Sequence, residues 1–225
     1  NWDENAWTRD LLFDSFLGVR TTQTNVWLDQ IPTLREEYLA ETGIIHVVQR
    51  VDDLRVDSYF YCPWELERPA LVIVGKLTNE GDSGIQASLY TLHNYHLGDT
   101  TQEEPINPDF NDERIQFQTE AGAYLESGPG GALLHRPIGT ADHHGCTPDN
   151  PWHALNNGID LADTSDSGSG DDRVAGFQKD FSLAPGESGW FGAVSAFERF
   201  GDTETLAADV EQAYAVGTAA VDMAV

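Results

Sequence analysis

Positive charge is scarce in this sequence. Its 225 residues include 12 lysines and arginines against 38 aspartates and glutamates, a formal charge of −26, and the lysines are Lys76 and Lys179 alone. Such a surface repels a phosphate backbone or an anionic membrane face, so nucleic acid is excluded as a partner. The same bias marks proteins of salty settings, where solvated carboxylates hold surfaces apart under screening, and charge is read here as habitat rather than function. Long apolar runs are missing too: nothing approaches the ~20 residues of a membrane span. With neither an initiator methionine nor a signal peptide, the chain reads as processed or excised, and a secreted or periplasmic setting is favoured. There are two cysteines, Cys62 and Cys146, without CxxC or other metal spacing; a disulfide and two free thiols both stay open. No G-x-S-x-G turn and no glycine-rich dinucleotide or phosphate loop occurs, which excludes a serine hydrolase and leaves no cofactor or metal expected.

What is present is a succession of short apolar runs between turn clusters, the mark of many strands. RDLLFDSFLGVR, GIIHVVQRV, LRVDSYFYC, ALVIVGKLTN, GIQASLYTLHNYHL, ERIQFQT, GALLHRPI, VAGFQKDFSL and SGWFGAVSAF make nine candidates. They predict an all-β fold, a large antiparallel two-sheet β-sandwich over residues 1–201. ALVIVGKL is nearly all apolar and predicts a central strand covered on both faces, with Leu71, Val72, Ile73 and Val74 in the core. TNEGDSG has the composition of a tight connection, so ALVIVGKL and GIQASLYTL are expected to form an antiparallel hairpin. Two long irregular stretches follow, Asp99 to Asp112 and Ala141 to Asp172; the tract DTSDSGSGDD in the second departs from calcium-loop spacing and reads as a solvated flexible loop. Residues 202–225 change period: Asp202 offers an N-cap, and Leu206, Val210, Ala213, Tyr214, Gly217 and Val221 recur on one helical face. A C-terminal linker helix is expected there, its apolar face in need of a partner.

The chemistry-bearing residues are few. In LHNYHLG an extended backbone sends His93 and His96 to opposite faces, so they cannot share an ion; His93 falls on the apolar face and His96 near a rim. His143 and His144 in ADHHGC read as a loop pair able to reach the same cleft as His96. Trp64 with Glu65, in CPWELERP, has the make-up of a sugar platform, the ring stacking on a pyranose while the acid accepts its hydroxyls. Trp152 is a second platform candidate. The substrate-binding set is therefore Trp64, Glu65, His93, His96, His143, His144 and Trp152, with no catalytic residue assigned.

From about Ile44 onward the pieces VDSYFYCPWELERPALVIVGKLTNEG, SLYTLHNYHLG, NNGIDLADT and GFQKDFSLAPGESGWFGAVSAF, followed by a helix, resemble a known domain. It is the supersandwich, or galactose-mutarotase-like fold, that precedes the helical barrel in bacterial and archaeal glucoamylase-like glycoside hydrolases and related phosphorylases. The resemblance implies an accessory domain, since in those enzymes the two catalytic glutamates belong to the barrel. It also implies the partners: an oligosaccharide, or the missing catalytic helical domain. The same fold in aldose epimerases has an N-H-x-Y strand, with His93 and Tyr95 in the comparable places. On that alternative His143 or His144 is the acid and Glu187 or Glu198 the base. A carbohydrate-binding sandwich without chemistry is the third reading.

Overall fold

The computed structural model describes residues 12–63, 70–95, 97, 113–128, 131–170 and 173–198. Trp64, Glu65, His96, the stretch from Asp99 to Asp112 and the expected helix of 202–225 lie outside them. The described strands are β1 (Leu12–Thr21), β2 (Asn25–Trp27), β3 (Arg35–Leu39), β4 (Ile44–Val51), β5 (Leu54–Tyr61), β6 (Ala70–Asn79), β7 (Ile85–Tyr95), β8 (Arg114–Gln118), β9 (Ala123–Gly128), β10 (Gly131–Ile138), β11 (His143–Cys146), β12 (Val174–Leu183) and β13 (Ser188–Glu198), with one short helix, α1 (Pro151–Asn156). They form an all-β, two-sheet antiparallel sandwich. One sheet has the order β11-β12-β7-β1-β2, the other β3-β4-β5-β6-β13-β10-β9-β8.

Alternation along each strand sorts side chains between the two faces of its sheet. Leu17 and Val19 of β1, Leu89 of β7 and Phe177 of β12 meet Val56, Ile73, Leu77 and Phe191 from the larger sheet in a shared interior. Each such buried leucine or phenylalanine stabilises the fold by ~1.5–3 kcal/mol. The larger sheet is also dry on its second face, where Tyr59, Val72, Val74, Leu134, Val194 and Ala196 cluster. The four-residue core read from β6 is thus divided: Ile73 faces the shared interior, with Leu71 packed against it but only partly buried, and Val72 and Val74 face away from it.

The expected hairpin does not form. β6 pairs with β5 and β13 in the larger sheet, whereas β7 pairs with β1 and β12 in the smaller. The TNEGDSG connection crosses the sandwich instead of turning within a sheet. Asn79 holds the crossing: its side-chain amide donates to the Ser83 and Leu183 carbonyls at 2.8 and 3.0 Å and accepts from the Gly81 N–H at 2.9 Å.

The stretch from Ala141 is not irregular throughout, since it contains β11 and α1. Nor is its serine- and aspartate-rich part merely solvated. It runs beside the edge strand β8, with Phe117 N–H donating to Ser165 O, Ser167 N–H to Ile115 O and Gly170 N–H to Glu113 O at 2.7, 2.9 and 3.0 Å, and with an Arg114–Asp166 ion pair. A polar tract thereby covers an edge that would otherwise present open donors and acceptors. Cys62 is exposed, Cys146 is buried, and both are free thiols.

Two glycines provide a test of packing. A Cβ on Gly192, in β13, would stand 2.2 Å from the Ile73 carbonyl oxygen, a backbone atom, whereas one on Gly84 would meet nothing nearer than 3.8 Å. Gly192→Ala is expected to lower the unfolding free energy by about 3 kcal/mol, the upper end of ordinary overpacking costs. Gly84→Ala should fall within about 0.5 kcal/mol of the parent. Urea unfolding midpoints of the two variants check both; equal midpoints would contradict the close strand approach.

Candidate functional site

The open polar cleft of the described residues lies on the outer face of the smaller sheet and is built from strand register. Arg20 on β1 stands opposite Ser88 on β7, and Ser88 stands opposite Asp180 on β12, so one row across three strands carries a cation, a hydroxyl and a carboxylate. In the next row Tyr90 faces Gln178, and Gln178 faces His143 of β11. A cavity of about 240 Å³ opens beside the first row, lined by Arg20, Thr21, Thr22, Gln86, Ser88 and Asp180 among others.

The segment after α1 closes one side. Asn150 caps α1 through its side chain, accepting from Trp152 N–H at 2.9 Å. Gly158, at φ 66°, then turns the chain back over the sheet, a conformation that costs glycine little. Leu155 packs where Gly18 has no side chain; a Cβ there would lie 2.3 Å from its Cδ2. This brings Asp160 to the row. Arg20 Nη2 donates to Asp160 Oδ1 at 2.5 Å and to Ser88 Oγ at 3.0 Å, and lies 3.9 Å from Asp180 Oδ1. The Ser88 hydroxyl donates to Asp180 Oδ1 at 2.6 Å. Gln178 Nε2, fully buried, donates to Asp160 Oδ1 at 2.7 Å and Asp180 Oδ1 at 2.9 Å. The Gln178 amide and the Arg20 guanidinium hold the Asp160 carboxyl below its usual range. Below them the guanidinium lies 5.4 Å from the centre of the Tyr90 ring.

His143, Asp160 and Asp180 have ligand atoms within 4.8 Å of one another, close enough to share a cation. The Arg20 guanidinium already supplies positive charge to both carboxylates, so a metal would have to compete with it. The cleft instead offers donors and acceptors side by side: the guanidinium, the hydroxyls of Thr22 and Ser88, the Gln86 amide and a carboxylate, whereas the Thr21 hydroxyl is taken up by Asp52 and the Gln23 and Thr24 N–H groups. That set suits a neutral, hydroxyl-rich ligand.

Of the histidines of the sequence reading, the three described ones, His93, His143 and His144, do not converge. His143 and His144 sit on a strand, not a loop, and so point to opposite faces. His143 is in the outer row, its Nδ1 3.3 Å from Asp163 Oδ2. His144 turns inward, 2.7 Å from the Tyr124 hydroxyl and stacked 3.7 Å from the Phe117 ring centre, and burial pushes its pKa down. Trp152 stacks face to face on Trp27, ring centres 5.2 Å apart, which occupies one face of the proposed platform.

His93, 1 % exposed, belongs to a polar cluster sealed between the sheets. His135 Nε2 lies 2.7 Å from Glu126 Oε2, and His135 Nδ1 lies 2.8 Å from Ser195 Oγ. Ser195 Oγ and Ser15 Oγ are each 3.4 Å from His93 Nδ1, and His93 Nε2 is 3.0 Å from Thr91 Oγ1. Desolvation pushes Glu126 well above the usual carboxyl range, His135 down to about 3, and His93 well below 6.5, the His135 neighbour adding to the last. A protonated Glu126 orders the whole chain: it donates to His135 Nε2, His135 Nδ1–H to Ser195, the Ser195 hydroxyl to His93 Nδ1, and His93 Nε2–H to Thr91. The histidine pattern led to His93 but not to Glu126, His135 or Ser195, nor to Arg20, Asp160 and Asp180. Cross-strand register, which composition does not reveal, brings each set together.

No protein-family model matches the sequence, and no curated protein matches it. Among solved structures, a bacterial glucoamylase in complex with acarbose matches with a TM-score of 0.63 at 12% identity, over 91% of this chain and 29% of that one. A protein assigned as an aldose 1-epimerase, from Escherichia coli K12, matches with a TM-score of 0.42 at 15% identity, over 77% of this chain and 70% of that one. The match to the glucoamylase shows the fold, a large two-sheet antiparallel β-sandwich also present in that structure, and the chain spans less than a third of the glucoamylase's length.

The sealed cluster makes stability depend on pH in a defined way. Glu126, raised in the folded state, contributes fully below its unperturbed 4.5 and loses its contribution as pH climbs toward the folded value. His93 and His135, depressed, contribute above 6.5 and lose their contribution as pH falls. Together the three groups favour a maximum near pH 6.5. Glu126→Gln keeps a donor toward His135 and removes the retained proton. Relative to the parent, its unfolding free energy is expected to rise by about 1.4 kcal/mol per pH unit above pH ~5, until the folded carboxyl itself titrates. Parallel curves from urea melts at pH 5 to 8 would show that the pair holds no extra proton.

Proposed function

We propose that this chain is the noncatalytic β-sandwich domain of a carbohydrate-processing enzyme of the glucoamylase-like kind, whose catalytic acids stand in a separate helical barrel. The observation that carries the proposal is the match of 91% of this chain to 29% of a glucoamylase, the proportion expected of an appended domain. The chemistry of the described residues agrees with it. Glycoside cleavage needs a carboxylic acid kept protonated beside the scissile bond and a second carboxylate across from it. Glu126, a carboxyl that burial raises well above its usual range, is 0 % exposed and sealed between the sheets, away from any glycosidic bond. In the open cleft Asp160 is held ionised, so it serves as an acceptor and not as an acid.

The cleft gives such a domain a task of its own. Arg20, Ser88 and Asp180 in a cross-strand row, with Thr22 and Gln86 beside them, form a site for the vicinal hydroxyls of a saccharide. The epimerase alternative asks a strand-borne His93 to touch the sugar. The 1 % exposure of His93 and its bonds to Thr91 and the interior serines favour the accessory reading over it.

Two measurements test the proposal. The intact product of the same gene, read onward past Val225, is expected to release glucose from malto-oligosaccharides, and this chain alone is expected to release none; hydrolysis by the isolated chain would remove the noncatalytic reading. In calorimetric titration with maltotriose, Asp180→Asn is expected to weaken binding about tenfold, a loss of about 1.4 kcal/mol. Identical isotherms for parent and variant would place saccharide binding elsewhere.

A further inference from the structure

Four strands bound the two described sheets, and three of those edges are short or covered. β8 runs beside residues 165–170, and β11 is closed by Asp163, whose N–H donates to His144 O at 2.8 Å and whose carboxylate accepts the His144 N–H at 3.0 Å. β2 has three residues and lies beside α1. β3 differs: among the described residues only β4 pairs with it, and Arg35, Glu36 and Tyr38 are exposed. Leu34, whose N–H donates to Val48 O at 2.8 Å, extends this edge by one residue. Of the large apolar side chains described, those exposed are Leu34 at 64 %, Tyr38 at 75 % and Ile159 at 56 %. Two of them thus fall on one strand edge, four residues apart and on the same side of it. An open edge that carries apolar side chains is a template for another strand.

We infer that this edge pairs with the same edge of a second copy of the chain, β3 against β3, antiparallel about a two-fold axis at Glu36, which joins two eight-stranded sheets into one. The stretch LREEY, residues 34–38, complements itself in that register. Across the axis Leu34 stands opposite Tyr38 and Arg35 opposite Glu37, each pair formed twice, while Glu36 meets its own copy. Directly opposed residues share a side of the sheet, so the apolar pairs lie on one side and the ion pairs on the other. Within one copy Arg35 Nη2 already donates to Glu37 Oε2 at 2.5 Å, the side chains 60 % and 30 % exposed, so in the dimer each guanidinium lies between two carboxylates. Moving the axis destroys the match. Centred on Arg35, the pairing sets that residue against itself and Leu34 against Glu36; centred on Glu37, it sets two glutamates together and Arg35 against Leu39. The side-chain pattern therefore specifies a single register. Strands this short bury far less than the ~1,200 Å² of a stable interface, and two chains of charge −26 repel each other. Association is accordingly weak, and it depends on concentration and on salt.

Self-association goes beyond the accessory-domain proposal and can fail while that proposal stands, and the reverse. In sedimentation velocity at ~0.5 M salt, where screening confines repulsion to a few ångström, the full chain is expected to pass from monomer toward dimer as its concentration rises to ~1 mM. The dimer should add hydrogen-exchange protection to the backbone amides of 35–39. Arg35→Glu sets acids against acids on both sides of the axis and should weaken the dimer at least ~10-fold, whereas Glu36→Gln removes the like-charge contact on the axis and should tighten it ~3-fold. Both side chains are exposed, so each variant is expected to keep the parent's urea midpoint. If Arg35→Glu fails to fold, the gain with Glu36→Gln still decides. A monomer at every concentration up to ~1 mM would overturn the inference. So would a dimer that neither substitution shifts, because it would form through another surface. Protection of 35–39 that does not vary with concentration would assign the edge to another segment, and would overturn it equally.

Discussion

The exclusion of water from both faces of the inner strands of the eight-stranded sheet is the constraint on which the rest of this architecture depends. A strand with one wet face alternates apolar and polar residues, whereas β6, at the middle of this sheet, reads ALVIVGKL because both of its faces are dry. Its neighbour β13 obeys the same rule with smaller residues: Phe191 and Ala193 face the interior, Val194 and Ala196 the other side. A sheet of this kind has little room for a ligand. Polar recognition is displaced to the smaller sheet, whose outer face is covered by α1 over Trp27, Tyr90 and Leu92 but left open beside Arg20.

The polar groups that enter the interior around His93 are tied into one hydrogen-bonded chain. Burying an imidazole or a carboxyl without a partner costs ~1–3 kcal/mol or more, so each must be answered. The His93–Ser195–His135–Glu126 chain does this with neutral groups, and it joins β7 of one sheet to β9, β10 and β13 of the other. Bonds of fixed direction tie the two layers in one register, which apolar contacts alone do not specify. The remaining Glu126 Oε1 has no hydrogen-bond partner. A protonated carboxyl tolerates this far better than a carboxylate, and the raised pKa has the same cause.

The sandwich was legible in the sequence because alternation is a local property, and its long strands announced themselves. β2, β3, β9 and β11 did not: they have three to six residues, and REEYL or HHGC looks like loop by composition, whereas the equally short β8 shows through the apolar alternation of Ile115 and Phe117. The failed hairpin between β6 and β7 has a different origin. Turn chemistry reports that a chain reverses, but not whether it returns to the same sheet, and here Asn79 ties the reversal to Leu183 of β12. The sites were less legible still. Glu126, in AYLESG, is indistinguishable from a surface glutamate until His135 is seen opposite Tyr124, two residues before it on the same face of β9.

Scarcity sharpens the assignment of the cleft. With 12 basic residues against 38 acids, a cation on this surface is surrounded by possible partners, and most pairs between exposed side chains add little to stability. Arg20 differs from such a pair because its surroundings are fixed. Register sets Ser88 beside it, the buried Gln178 amide orients both carboxylates, and Tyr90 supports the guanidinium from below. Donors and acceptors held in place this way give up little conformational freedom when a ligand arrives, so more of each hydrogen bond is available for recognition. A flexible surface ion pair of equal charge would lose that advantage, and for this reason the row on the smaller sheet, rather than the abundance of acids elsewhere, is where binding by this domain is to be sought.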